Sequence, residues 1–254
     1  MWTRSALKDQ AKKSLKGTFL ISVLVIILFI LLTGGENSNL TLKLGEDATK
    51  EMEIRNGIFG YSFGEDYYNN IVSYPLTALF LLFGVFASIV SVLYQIFIAA
   101  PLNIGLSKYF LVNRRNPEDN TPLNLFDTFR SGNYLNGVVV LFLQNLFIFL
   151  HFLLLIIPGI IKVFKYYMVS FIMADHPDMH YKDALALSTE MTDGHKMNIF
   201  VLELSFIGWY LLSALTLGLA TPLVSTYRKA TITELYEVLK NPNERQEVAP
   251  PGYF

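Results

Sequence analysis

Charged residues fall into clusters along this chain, separated by uncharged stretches long enough to cross a bilayer: Gly17 to Gly35, Asn69 to Ser107, Ser131 to Ile161 and Leu204 to Tyr227. A span needs about 20 predominantly apolar residues, and an ionised side chain at the bilayer centre costs several kcal/mol. The gaps therefore predict transmembrane helices at 17–35, 74–100 and 134–157. Pro75 and Pro101 are placed to begin and stop the second, and Pro158-Gly159 breaks the chain after the third. A fourth span at 159–174 requires Lys162 and Lys165 to lie near a membrane face or an internal partner. A fifth at 198–215 contains Glu203. A sixth at 219–239 follows a turn at Thr216-Leu217-Gly218 and leaves the membrane at Arg228 and Lys229. The predicted fold class is an all-α polytopic membrane protein, a bundle of about six transmembrane helices filling residues 18–240, with 241–254 as a cytoplasmic tail.

Between the first two spans, residues 36–73 form an outer loop. Leu40, Leu42 and Leu44 alternate with polar positions. Further on, Met52 to Arg55 meets Asn56-Gly57 and then Ile58, Phe59 and Tyr61, the dipeptide and alternation of a tight hairpin. A small external β-hairpin is expected there, either as a receptor-like surface or as a self-folded connection. In residues 1–17, Trp2, Leu7, Ala11 and Leu15 share one side of a helix and Arg4, Lys8, Lys12 and Lys16 lie elsewhere. This predicts a basic amphipathic helix on the inner membrane surface, the alternative being a plain topogenic flank.

Composition agrees with the pattern. Of 254 residues 52% are hydrophobic and 16% charged, against roughly a quarter charged in a soluble domain. The formal net charge of −1 gives no basic excess for a nucleic-acid backbone, and the absence of cysteine excludes disulfides, thiolate metal sites and thiol chemistry. Residues 1–17 hold five basic residues against one acid, which places the amino end in the cytoplasm, and the count of spans places the carboxyl end there too. Segments 101–136 and 228–245 are basic as that orientation requires. Segment 34–73, with three basic and seven acidic residues, suits the outside.

Glu203 carries the most chemistry, because a carboxylate inside a span must find a cation, a proton or water. If the fourth and fifth helices are antiparallel neighbours, Lys165 reaches inward to Glu203 while Lys162 extends outward. The same residues fit an ion pair that only fixes helix register, or a carboxylate wetted from the inner face. Gln144 and His151, seven apart, share a helix face and suit either helix packing or a polar groove. His176 and His180 flank Pro177-Asp178-Met179, with Pro177 where a zinc protease carries its glutamate, so they are weak metal candidates beside a solvated-loop reading. No catalytic constellation stands out, and no cofactor is expected.

Several segments together resemble the bacterial integral-membrane family called domain of unknown function 975: Leu155 to Lys162 (LIIPGIIK), Ala174-Asp175-His176-Pro177, Ala184 to Ser188, Met191 to Lys196 (MTDGHK) and Leu204 to Trp209. Ala11-Lys12, Leu15 to Gly17, Pro101 to Gly105 and Phe110-Leu111 resemble it as well, whereas Thr226-Tyr227-Arg228 stands where that family usually has a Pro-Tyr pair. The resemblance implies a multi-helix protein of the bacterial cytoplasmic membrane and supplies no catalytic residues. Two functions are expected. One is a non-enzymatic membrane component that binds or organises partners, with a protein or peptide at the outer loop, in envelope stress or protection against membrane-active peptides. The other is a small transporter or permeation unit built on Glu203, Lys165, Lys162, His151 and Gln144.

Overall fold

Thr3 stands extended ahead of the first helix, and its Oγ1 accepts from the Ala6 N–H at 3.3 Å, satisfying one of the donors a helix start leaves free. Helix α1 (Arg4–Ser14) then turns by 99° into α2 (Phe19–Thr33) through Gly17, whose φ of +91° favours glycine. The structure, a computed structural model, describes residues 2–33, 66–216 and 218–241.

Helix α3 (Asp66–Tyr94) passes through a π turn at Gln95–Ala99 into α4 (Ala100–Arg115). Pro101, expected to stop this span, instead lies in the first turn of α4. There the π turn has already interrupted the regular ladder and the missing N–H costs little. Two 3-10 turns (Pro117–Asp119 and Pro122–Phe126) and the short α5 (Asp127–Arg130) lead to α6 (Tyr134–Leu154). The chain reverses at extended Leu155, earlier than Pro158-Gly159, because proline is well tolerated in the first turn of the next helix, α7 (Ile156–Lys165). After α8 (Val169–Asp175) come α9 (Tyr181–Met191), α10 (Lys196–Leu215) and α11 (Thr221–Lys240). Between α7 and α8 the backbone is broken, and α9 repairs it. The Lys165 carbonyl accepts from Ser188 Oγ at 2.8 Å and Thr192 Oγ1 at 3.3 Å, and the Met168 N–H donates to Ser188 Oγ at 3.2 Å. A break in an apolar helix is tolerated when neighbours satisfy its backbone in this way.

The core centres on α8, where Val169, Phe171, Ile172, Met173 and Ala174 are all buried against α4, α9, α10 and α11. A second cluster joins Val25, Ile26 and Phe29 of α2 to Leu102, Leu106, Tyr109 and Phe110 of α4 and to Leu125. The apolar face of α1 is buried in these clusters, with Leu7 and Ala11 fully covered. Its amphipathic pattern is thus spent on protein rather than on a lipid surface.

The outside of the bundle is greasy: α3 between Leu79 and Leu93, and the outward faces of α2, α6, α7 and α10, expose leucine, isoleucine and phenylalanine. Among the described residues four helices are long and apolar enough to cross a membrane: Leu79–Arg115, Tyr134–Leu154, Ile156–Asp175 and Lys196–Leu215. The bent pair α1 and α2 would make a fifth only if taken as one span. Six spans is therefore an overcount. Alone, α2 has 15 residues, about 22 Å at 1.5 Å per residue, shorter than a hydrocarbon core of about 30 Å. The expected sixth span, 219–239, is α11, which buries Lys229, Glu234 and Glu237 inside the protein. The hairpin leaves the fold class as well, since the described residues form helices and no strand. Residues 52–61, where the alternation places it, lie outside the described residues.

Ion pairs tie the carboxyl ends of α4, α8 and α11 together. Arg115 grips Asp175 through both terminal nitrogens at 2.7 and 2.8 Å and reaches Glu237 at 2.7 Å, while Lys240 and the Tyr236 hydroxyl donate to Asp175 at 2.8 and 2.9 Å. Arg114 Nε donates to buried Glu234 at 3.2 Å. Burial pushes the Glu234 carboxyl above its ordinary 4.5 despite Arg114, and burial likewise raises the Tyr236 hydroxyl. A raised carboxyl binds its proton more readily when folded, so its contribution is full below 4.5 and is lost as pH rises through the folded value. Glu234→Gln should accordingly melt above the wild type at pH 7. Thermal melts in detergent should show the difference closing as pH falls towards 4.5, and a Glu234→Gln melt below wild type at pH 7 would contradict this ordering.

Candidate functional site

Glu203 is the eighth of the twenty residues of α10. The turn from α10 to α11 brings its partner: the Gly218 N–H donates to the Ser213 carbonyl at 2.9 Å, Gly218 takes φ +84°, and Ser213 and Thr221 share a hydroxyl hydrogen bond at 2.7 Å. Helix α11 then returns alongside α10, and Arg228 meets Glu203. Its Nε donates to Oε2 at 2.8 Å and its Nη2 to Oε1 at 3.1 Å. From the break between α7 and α8, the Tyr167 hydroxyl donates to Glu203 Oε1 as well. Both carboxylate oxygens are engaged, with the Glu203 and Arg228 side chains about four-fifths buried at 23% and 19% exposure.

This pair opens onto a cavity of about 570 Å3. Ile26, Phe29 and Leu106 form its apolar wall on one side and Phe164, Phe200 and Ile207 on another. Ser225, Thr221, Tyr210 and Lys229 add polar groups. Lys229 is buried, donates to Asn103 Oδ1 at 3.2 Å and stands 4.7 Å over the Phe171 ring. An apolar chamber of this size with a few fixed polar groups matches the usual form of a small-molecule site.

The other expected site residues are not gathered here. Lys165 does not pair with Glu203: it lies where the chain leaves α7, and its carbonyl serves the Ser188 and Thr192 hydroxyls. Lys162 Nζ donates to the Tyr166 hydroxyl at 3.2 Å, one helical turn on. His151 Nδ1 lies 2.7 Å from the Phe147 carbonyl on its own helix. Gln144 Oε1 is buried with no hydrogen-bond partner among the described residues. Neighbouring Asn145 lines a separate hollow beside the π turn, with Phe29, Gln95 and Asn103. His180 Nδ1 accepts from the Lys182 N–H at 3.4 Å as the cap of α9, and His176 ends α8. Among the described residues no three or more of His, Asp and Glu are placed to share a metal.

Sequence reasoning missed Arg228, Tyr167 and Lys229. Hydrophobic spacing marks Arg228 and Lys229 as the point where a sixth span meets water. The available signal was that both follow 24 uncharged residues on a segment joined to α10 by a short turn, which makes them the cations nearest Glu203 on an antiparallel neighbour.

No curated protein and no solved structure matches this chain. A family profile does match, over residues 18–243, and so takes in every element of the cavity. The chain belongs to the family described as protein of unknown function, DUF975.

Proposed function

We propose that this is a non-enzymatic, multi-pass protein of the bacterial cytoplasmic membrane that binds a partner molecule in the Glu203 cavity, with both termini in the cytoplasm. The observation that carries the reading is a cavity whose walls are apolar and whose carboxylate is fully engaged by Arg228 and Tyr167. A carboxylate so held has a tuned orientation and little freedom to act as a general base, which suits recognition better than turnover. The greasy exterior of α3, α6, α7 and α10 supports membrane embedding. The orientation is supported by contacts among the segments carrying most of the basic charge. Asn113 near the end of α4 donates to the Ser14 carbonyl of α1 at 3.0 Å, and Arg114 and Arg115 bind the end of α11, so α11 returns inside the protein, without being an apolar span of its own, to the face where α1 and α4 end. Of the expected outer loop, residues 36–65 lie outside those described and 66–73 are helical, the start of α3.

The chain has no cysteine, so single cysteines report access without background. Ser225→Cys, on the cavity wall, should react with a small charged thiol reagent, and a bulky maleimide there should strip any molecule that co-purifies with the protein in native mass spectrometry. Thr121→Cys should label from the cytoplasmic side only and Leu219→Cys from the outside only. An unreactive Ser225→Cys, or a bound mass indifferent to its modification, sinks the binding reading. Labelling of both loop positions from one side sinks the topology. A second reading, a small permeation unit, is favoured by the position of Glu203 well inside α10, and proteoliposome flux that vanishes in Glu203→Gln would select it.

A further inference from the structure

A second hollow, of about 700 Å3, shares no residue with the Glu203 cavity. It lies between α1 and the region where α10 meets α11, with Lys8, Lys12 and Lys16 on one wall and Phe19, Trp209 and Leu223 on the other. We propose that this groove binds an anionic phospholipid, the three lysines holding its headgroup phosphate and the aromatic and aliphatic wall receiving an acyl chain.

Lys8 and Lys12, four apart, share one face of α1, and Lys16 follows in the turn that leads to α2. The acid among them, Asp9, is tied to Lys12 at 3.3 Å, which leaves two positive charges unbalanced within the groove. Lys8 is held in place: its Nζ donates to Ser205 Oγ at 2.8 Å and stands 4.4 Å over the Phe206 ring, while the Tyr227 hydroxyl donates to its backbone carbonyl at 3.3 Å. Burial lowers the Lys8 pKa and the charges of Arg4 and Lys12 lower it further, a crowding of cations that an anion relieves. Opposite them Trp209 and Leu223 remain 51% and 45% exposed. A free anion has no use for that wall, and a neutral lipid has no use for the lysines. Lys16 stands just ahead of α2, whose Leu20 and Leu24 are exposed, so the lysines adjoin an apolar outer surface on which acyl chains lie.

The inference rests on the membrane reading above, and the test separates the two. Trp2 and Trp209 are the two tryptophans of the chain. In a Trp2→Phe variant reconstituted into phosphatidylcholine vesicles, Trp209 fluorescence reports lipid at the groove. Wild type read against Trp209→Phe gives the same comparison with Trp2 untouched. Brominated phosphatidylglycerol should quench Trp209 about three- to tenfold more effectively than brominated phosphatidylcholine at the same low mole fraction, since each lysine near an anionic surface contributes about a fivefold preference before screening. Lys12→Gln with Lys16→Gln, both exposed positions, should remove the excess while leaving the thermal melt intact. Millimolar inorganic phosphate should leave the quenching unchanged. Equal quenching by the two lipids, an excess that survives the double substitution, or displacement by inorganic phosphate overturns the proposal. No quenching by either lipid overturns the membrane reading with it.

Discussion

Gly105→Ala should cost this protein about 3 kcal/mol or more, at the upper end of what overpacking produces. A Cβ on Gly105 would lie 1.9 Å from the Leu125 carbonyl oxygen and 2.7 Å from its carbon, both backbone atoms. No rotamer change relieves such a contact, so the 3-10 turn Pro122–Phe126 has to lift off α4 and withdraw Leu125, fully buried, from the second core cluster. For a chain of this size 1 kcal/mol moves the melting point by about 2–4 °C, so the expected drop is about 10 °C. Gly208→Ala in α10 is the control, because nothing lies within 4 Å of its added methyl and alanine is the better helix former. Melting Gly105→Ala, Gly208→Ala and wild type side by side in detergent decides the matter. If the two variants melt together, the 3-10 turn is not seated on α4 in solution.

Gly105 also marks the limit of what the sequence discloses about this fold. Hydrophobic spacing places the ends of α6 and α10 within a few residues, since each is a long and mostly apolar run. That spacing reports length and greasiness and says nothing about what covers the grease. Residues 219–239 contain enough apolar side chains to suggest a span, yet α11 is covered by protein on nearly all sides over its second half and keeps Glu234 and Glu237 against Arg114 and Arg115. The same ambiguity affects α1, whose apolar face suits a membrane surface or a protein core equally well. A glycine at 105 and a leucine at 125 carry no local mark of touching, because that contact is set by how the turn after α4 folds back.

The site was legible in half. That Glu203 must find a cation, a proton or water follows from one carboxylate in a long apolar helix, and the structure provides a cation. Which cation it is depends on neighbours. Lys165 looks well placed when α7 and α8 are read as one straight helix beside α10. The break at Tyr166–Met168, held by Ser188 and Thr192, interrupts that helix and presents Tyr167 to Glu203 instead. Arg228 arrives from α11, whose register against α10 is set by the Gly218 turn and the Ser213–Thr221 hydrogen bond. The cation is therefore specified by a helix break and a turn that hydrophobic periodicity does not encode.

The pairing itself can be weighed by a double-substitution cycle. Arg228→Gln leaves the Glu203 carboxylate four-fifths buried, with the Tyr167 hydroxyl as its remaining hydrogen-bond donor among the described residues. Breaking a fully buried pair costs about 3–5 kcal/mol; with a fifth of each side chain still reaching solvent, about 2–3 kcal/mol is expected. Glu203→Gln is milder, about 1 kcal/mol, because the amide oxygen still accepts from Arg228 and Tyr167 and the cation left behind is long enough to find water. If Arg228 and Glu203 act as a unit, the two substitutions together should restore at least 1 kcal/mol relative to their sum, since the double variant buries no unpaired charge. Lys165→Gln serves as the discriminating control: with its side chain away from the carboxylate, it should shift the melt by under about 0.5 kcal/mol and add to Glu203→Gln without coupling. Coupling between Lys165 and Glu203, with none between Arg228 and Glu203, would mean that the break between α7 and α8 is healed in the bilayer and that the cavity wall is arranged differently there.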